Sequence, residues 1–280
     1  MARLGENRYG KSRVRLSRIT RLKDRHEFNE WAVQVMLCGD FESSYTQADN
    51  SKVLPTDTMK NTVYFVARES KASTIEAFAC ELGDYLLSNN PQVTKVSVGV
   101  EEKAWERVIV DGAPDATTFK MGGPELRTVH AVRDRGGAWA VTSGIDRLTI
   151  LKTTKSAFTG YVVDKLTTLK PATDRILGTR ATVTWDYAVA EPDYAQVRSR
   201  IVTAILREFA RHNSMSVQHT LFDMGKAALD AAPEIARIHL SMPNLHHQLA
   251  DLSRFGQDNP NHIFVPIDEP HGIIEATVER

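Results

Sequence analysis

Hydrophobic and polar residues alternate along this chain in blocks that come in a repeated order. At 14–22 and 31–37, β-branched, aliphatic and aromatic residues partly alternate with polar ones, the period of strands with one wet face. Residues 93–100 alternate strictly, with Thr94, Val96, Val98 and Val100 opposing Val93, Lys95, Ser97 and Gly99. Further strands are expected at 127–133, after the turn-rich Gly122-Gly123-Pro124, and at 138–151, 181–187, 235–242 and 273–278. Helical periods lie between them. Asp57 starts a short helical segment and Ser73 a longer one running to about Ser88. Residues 194–211 place Val197, Ile201, Ala204, Ile205 and Phe209 on one stripe, and 224–231 continues a second helix. Gly136-Gly137 signals a hairpin and marks the expected boundary between two units, 1–136 and 137–280. Two strands, helices and two more strands, done twice, predict an α+β fold of antiparallel sheets with helices on one face.

Composition narrows the classes. The 280 residues suffice for one large or two ordinary domains, and 42% apolar with 25% charged residues is ordinary for a globular protein. Lys plus Arg equals Asp plus Glu at 35 each, so no global field favours nucleic acid or an anionic membrane. Nine of the first 25 residues are Lys or Arg, but they alternate with Val14, Leu16 and Ile19, as in a half-exposed strand. Cys38 and Cys80 are too few for a disulfide framework or a zinc site. There is no secretory apolar run, no stretch near the ~18 apolar residues of a membrane span, and no Ser-Lys-Leu terminus; a cytoplasmic setting is expected. No Walker loop, GxGxxG, HExxH or CxxC is present, and neither a metal nor a cofactor is suggested.

Candidate chemistry begins with Asn244 and His246. Two apart in extended chain, they project into one space, while Leu245 points the other way. Such a pair is either satisfied in the core or turned toward a ligand. His246 and His247 face opposite ways in a strand and make poor joint metal ligands. TDTMKNT at 56–62 and TDRILGT at 173–179 share three positions, which reflects aspartate as a helix N-cap rather than a repeat.

Residues 50–64, reading NSKVLPTDTMKNTVY, carry a larger pattern together with Arg8-Tyr9-Gly10-Lys11 and Pro243-Asn244-Leu245-His246. LTILK at 148–152, residues 164–169, Thr173-Asp174-Arg175-Ile176-Leu177, Ser216-Val217-Gln218 and residues 255–260 stand in matching order. In these segments the chain resembles the urate oxidases over nearly its whole length. The resemblance implies two tandem tunnelling-fold units per chain, with four chains pairing their sheets into barrels around a tunnel. It also implies cofactor-free oxidation of urate by O₂. Within it, Lys11, Thr56 and His246 form a proton relay, and Arg175 and Gln218 grip the edges of the flat anion. Phe158 stacks on its face, the backbone N–H groups of Thr56 and Val217 complete the rim, and Asn244, with Thr56, holds oxygen or peroxide above the ring. Asp57 either caps a helix or offers its backbone N–H to the ligand, and the loop bearing Thr56 and Asp57 enters a neighbouring subunit's site.

Taken singly, each residue has a plainer reading: Lys11 solvated, Arg175 capping a helix, Gln218 on a strand, Phe158 in the core. The chain departs from the family at Asp115-Ala116-Thr117-Thr118-Phe119, where a histidine-rich segment is usual, and at Leu245, where lysine is common. The rival readings are a pterin-acting tunnelling-fold enzyme, a cyclohydrolase or aldolase, and a non-catalytic purine-binding barrel.

Overall fold

Alternation in the first half becomes four long strands in the computed structural model, which describes residues 2–267 and 269–280. They are β1 (Tyr9–Arg21), β2 (His26–Gly39), β3 (Val93–Val110) and β4 (Ala113–Asp134). Each pairs antiparallel with the next. Between β2 and β3 come α1 (Glu42–Thr46), α2 (Thr56–Glu69) and α3 (Ile75–Asn89). Val33, Val35 and Leu37 of β2 and Val96, Val98 and Val100 of β3 are buried in one cluster with Met59 and Val63 of α2 and Phe78, Leu82 and Leu86 of α3. Each such side chain contributes roughly 1.5–3 kcal/mol on leaving water. The chain divides into compact units Met1–Ile145 and Asp146–Arg280, and β5 (Ala140–Lys152) runs across the division.

Several elements differ from the sequence expectation. The β3–β4 turn is Asp111-Gly112, with φ of 50° and 81°, a type I′ signature that reading the chain overlooked. Gly122-Gly123-Pro124, expected as a turn, lies within β4. There the register slips from Lys103↔Leu126 to Trp105↔Met121, and the extra residues bulge opposite Ala104. A bulge tolerates a proline, which has no N–H to donate, because the bulged residues stand outside the ladder. The helix expected to be short from Asp57 spans fourteen residues and starts at Thr56. Thr74, not Ser73, caps α3, its hydroxyl accepting from the Ala77 N–H at 3.3 Å.

In the second unit β6 (Leu177–Tyr187) pairs antiparallel with β7 (Ile235–Leu249). β7 then pairs with β9 (Ile273–Glu279) along Arg237–Pro243 and with β8 (Phe264–Ile267) along His246–Leu249. α4 (Tyr194–Arg211) buries Val197, Ile201, Ile205 and Phe209, four of the five stripe residues. α5 (Val217–Ala231) begins seven residues before the expected 224, so Gln218 sits on a helix rather than a strand. Gly225 lets α5 approach β9, since a Cβ there would lie 2.6 Å from Val278. Among the described residues no helix is long and apolar enough to cross a membrane.

Candidate active site

The first unit assembles Lys11, Thr56 and Asp57. Gly10 brings β1 against β2 so closely that a Cβ would sit 1.8 Å from the Val35 carbonyl. A bulge follows between Lys11 and Val14, with Arg13 at φ 54°. Tyr9 shares the strand face of Lys11, and its hydroxyl donates to the Leu54 carbonyl at 3.1 Å and accepts from the Leu54 N–H at 2.9 Å. One side chain thus fixes to β1 the segment that delivers Pro55, Thr56 and Asp57. Thr56 is the first residue of α2 and Pro55 occupies its cap. Asp57, one position inside, cannot cap; its carboxylate pairs with Lys60 and accepts from the Asn61 amide at 3.3 Å. The hydrogen bond from Lys60 chiefly holds that carboxyl below the usual range, and the charge of Lys11 adds to the effect. Lys11 itself is half-buried.

The second unit gathers Phe158, Arg175, Asn244 and His246 around a cavity of about 200 Å³. Asn244 and His246 extend from β7 where it leaves β9 and takes up β8. Phe158 lies in the connection between β5 and β6, fixed by reciprocal backbone hydrogen bonds with Ala172 at 2.8 and 3.1 Å. Asp174 is no helix cap. It accepts from the Thr154 hydroxyl at 2.7 Å and the Ser156 N–H at 3.3 Å, latching both ends of that connection together. Arg175 follows directly, with its guanidinium carbon 5.2 Å from the Phe158 ring centroid. Tyr161 stacks on the same ring at 4.9 Å and 16°.

Polar groups of this cavity are incompletely satisfied. Nε of Arg175 is buried without a hydrogen-bond partner among the described residues, and burial lowers the guanidinium pKa. Arginine nonetheless remains charged. Thr179, opposite Asn244 in the β6–β7 register, is fully buried with its hydroxyl equally unpartnered. His246 is held below the ordinary histidine range by burial first, then by the charges of Arg175 and His271. A neutral imidazole beside a buried cation can accept a proton from an acidic ligand.

Val217 and Gln218 do not line this cavity but start α5, where the Ser216 hydroxyl accepts from the His219 N–H at 3.1 Å. The first N–H groups of the helix are left without intrahelical partners. The Ala157 N–H donates to the Ser214 carbonyl at 2.7 Å, tying the Phe158 segment to the approach of α5. The cavity also takes in Lys170, His247 and Gln248, which sequence reasoning left out. The unbroken polar run His246-His247-Gln248 was the available signal, masked by the assumption of strict alternation.

A family model described as Uricase matches residues 7–132 and 141–275. The chain belongs to the uricase family. It is similar to the uricase of Arthrobacter globiformis, at 41% identity over 277 residues, 99% of this chain and 90% of that one. It is 40% identical to uricase-2 of Phaseolus vulgaris over 295 residues, covering 98% and 95%. The crystal structure of the Arthrobacter globiformis uricase superposes with a TM-score of 0.94, covering 100% of this chain and 96% of that one. The uricase fold, with its two tandem tunnelling-fold units, therefore extends over the whole chain.

Proposed function

We propose that this chain is a urate oxidase and that urate occupies the second-unit cavity. The buried, unpartnered Arg175 Nε carries the reading, because it leaves a charged donor without an acceptor beside an aromatic face, an amide and a neutral imidazole. Urate is a flat anion edged by carbonyl oxygens and ring N–H groups. Arg175 offers planar donors and charge to one edge; Gln218, at the helix start that the Ala157–Ser214 bond ties to the Phe158 segment, would turn in from outside the cavity lining to offer one donor and one acceptor to another. Phe158 supports the ring face. Its approach requires Tyr161 or Arg175 to give up part of that ring. Asn244 holds oxygen above the plane.

The reaction converts urate, O₂ and water into 5-hydroxyisourate and hydrogen peroxide. Two electrons leave urate one at a time for O₂, and the reduced oxygen bonds to the ring as a hydroperoxide. Water then displaces it, leaving its hydroxyl on the ring, and the departing hydroperoxide takes a proton to become hydrogen peroxide. Lys11, Thr56 and His246 relay the protons, the hydroxyl of Thr56 both donating and accepting. The electron-rich anion is its own reductant, so the protein's tasks are to hold it flat, draw off protons and exclude water. In a homotetramer the Thr56–Asp57 segment of one copy would complete the site of a neighbour.

Urate absorbance near its ultraviolet maximum, followed together with peroxide on chelator-treated protein, tests the activity. Bleaching with one peroxide per urate is expected; tight urate binding without bleaching would leave a purine-binding module instead. Lys11→Met should lower turnover by about 10²–10⁴-fold with urate affinity retained. Mixed oligomers of Thr56→Ala and His246→Ala chains should recover activity that neither variant has alone. No recovery on mixing would place the whole relay within one chain.

A further inference from the structure

We propose that His212, His219 and Asp223 form a binding site for a borderline first-row divalent cation, best fitted by Zn²⁺, separate from the cavity described above. His212 ends α4, and His219 and Asp223 lie one turn apart on α5. One ligand atom from each falls within 4.8 Å of the others. Nδ1 of His212 is 3.1 Å, and Nε2 of His219 3.5 Å, from the same Asp223 oxygen. A tetrahedron with metal–ligand bonds of 2.0–2.1 Å has edges of about 3.3 Å, so two of three edges already have the required length. The third closes by rotation of His219, whose side chain is 47% exposed and leaves an entry path for the ion.

The donor set decides the class of ion. Two imidazoles and one carboxylate suit Zn²⁺ and its neighbours, whereas Mg²⁺ and Ca²⁺ require mostly oxygen. Glu208 stands 3.7 Å from His212 Nδ1 and supplies a second carboxylate, within reach as a fourth ligand or an outer partner. The cations nearby are otherwise engaged, Lys152 with the His212 carbonyl at 2.5 Å and Lys226 with Asp230 at 2.7 Å. The His212 side chain is only 8% exposed, so its Nδ1 is held against the Asp223 carboxylate in a place largely shielded from water. A bound ion would clip the end of α4 to the first two turns of α5, the helix start that carries Val217 and Gln218.

The test is calorimetric titration of the chelator-stripped full chain with Zn²⁺, and a parallel titration with Co²⁺ followed by visible absorption. We expect one Zn²⁺ per chain, a rise in Tm that excess chelator reverses, and the intense bands of four-coordinate Co²⁺. His219→Ala and Asp223→Asn should each weaken Zn²⁺ by about 1,000-fold or more, beyond the ~10–100-fold typical of an outer-shell partner, with Tm in chelator unchanged. Absence of stoichiometric binding by the unmodified chain overturns the site, whether or not a variant folds. So does Zn²⁺ affinity that neither substitution moves.

Discussion

In the first unit the buried Glu102 carboxylate accepts from the Asn29 amide at 2.7 Å, the Trp31 indole at 2.9 Å and Arg127 at 3.3 Å. Glu76, also buried, accepts from the Ser143 hydroxyl at 2.7 Å, and burial raises its pKa. In the second unit Arg175 Nε and the Thr179 hydroxyl are just as enclosed and have no partner among the described residues. Protein cores satisfy their buried polar groups, because an orphaned one costs about 1–3 kcal/mol. The first unit follows that rule with its acids. The second departs from it at several atoms, His212 Nε2 among them, and one of these, Arg175 Nε, belongs to a residue lining the cavity, where a bound molecule would supply the missing acceptor.

That contrast can be broken most forcefully at Glu102. Glu102→Ala strips acceptors from Trp31 and Asn29 at once and should cost about 3 kcal/mol, read as a fall in Tm of roughly 8 °C, with turnover per folded enzyme unchanged. Arg175→Gln should do the reverse. Its Nε has no hydrogen bond to lose among the described residues, so Tm should hold while urate KM rises about 10–100-fold, the worth of a hydrogen bond to a charged group. A large drop in Tm with KM intact would make Arg175 a structural residue. Ser216→Ala removes the cap of α5 and should lower stability by about 1 kcal/mol in chemical denaturation.

The smallest effect concerns pH. Because the folded protein holds His246 below its ordinary value of 6.5, the unfolded chain takes up that proton first on acidification. The associated stability is complete above about pH 6.5 and declines as pH falls toward the lower, folded value. His246→Gln should therefore lose less Tm between pH 7 and pH 5 than the parent. An identical loss in both would mean that His246 titrates normally.

Legibility of the fold followed the range of the forces involved. The stripe at 194–211 is set by contacts three and four residues apart, and α4 has those very bounds. Gly122-Gly123-Pro124 reads locally as a turn, yet its partner strand carries β4 straight through it. Asp57 and Asp174 are both good caps by type, and neither caps a helix here: the start of α2 is displaced to Thr56, and Asp174 latches a connection without helix. Phe158, Arg175, Asn244 and His246 could be named from their order in the chain. The Tyr9 clamp on Leu54 and the Ala157–Ser214 bond join residues 45 and 57 positions apart, and no local pattern announces them.

Alternation, helical stripes and scattered motifs were enough by themselves to determine an α+β chain of the uricase kind, since these depend on residue type and near neighbours. Strand register, the bulges beside Lys11 and in β4, and the burial that leaves Arg175 Nε without a hydrogen bond among the described residues were decided only by tertiary structure. They depend on which distant backbone lies alongside, and pairing across a sheet is a property of two segments that neither one contains.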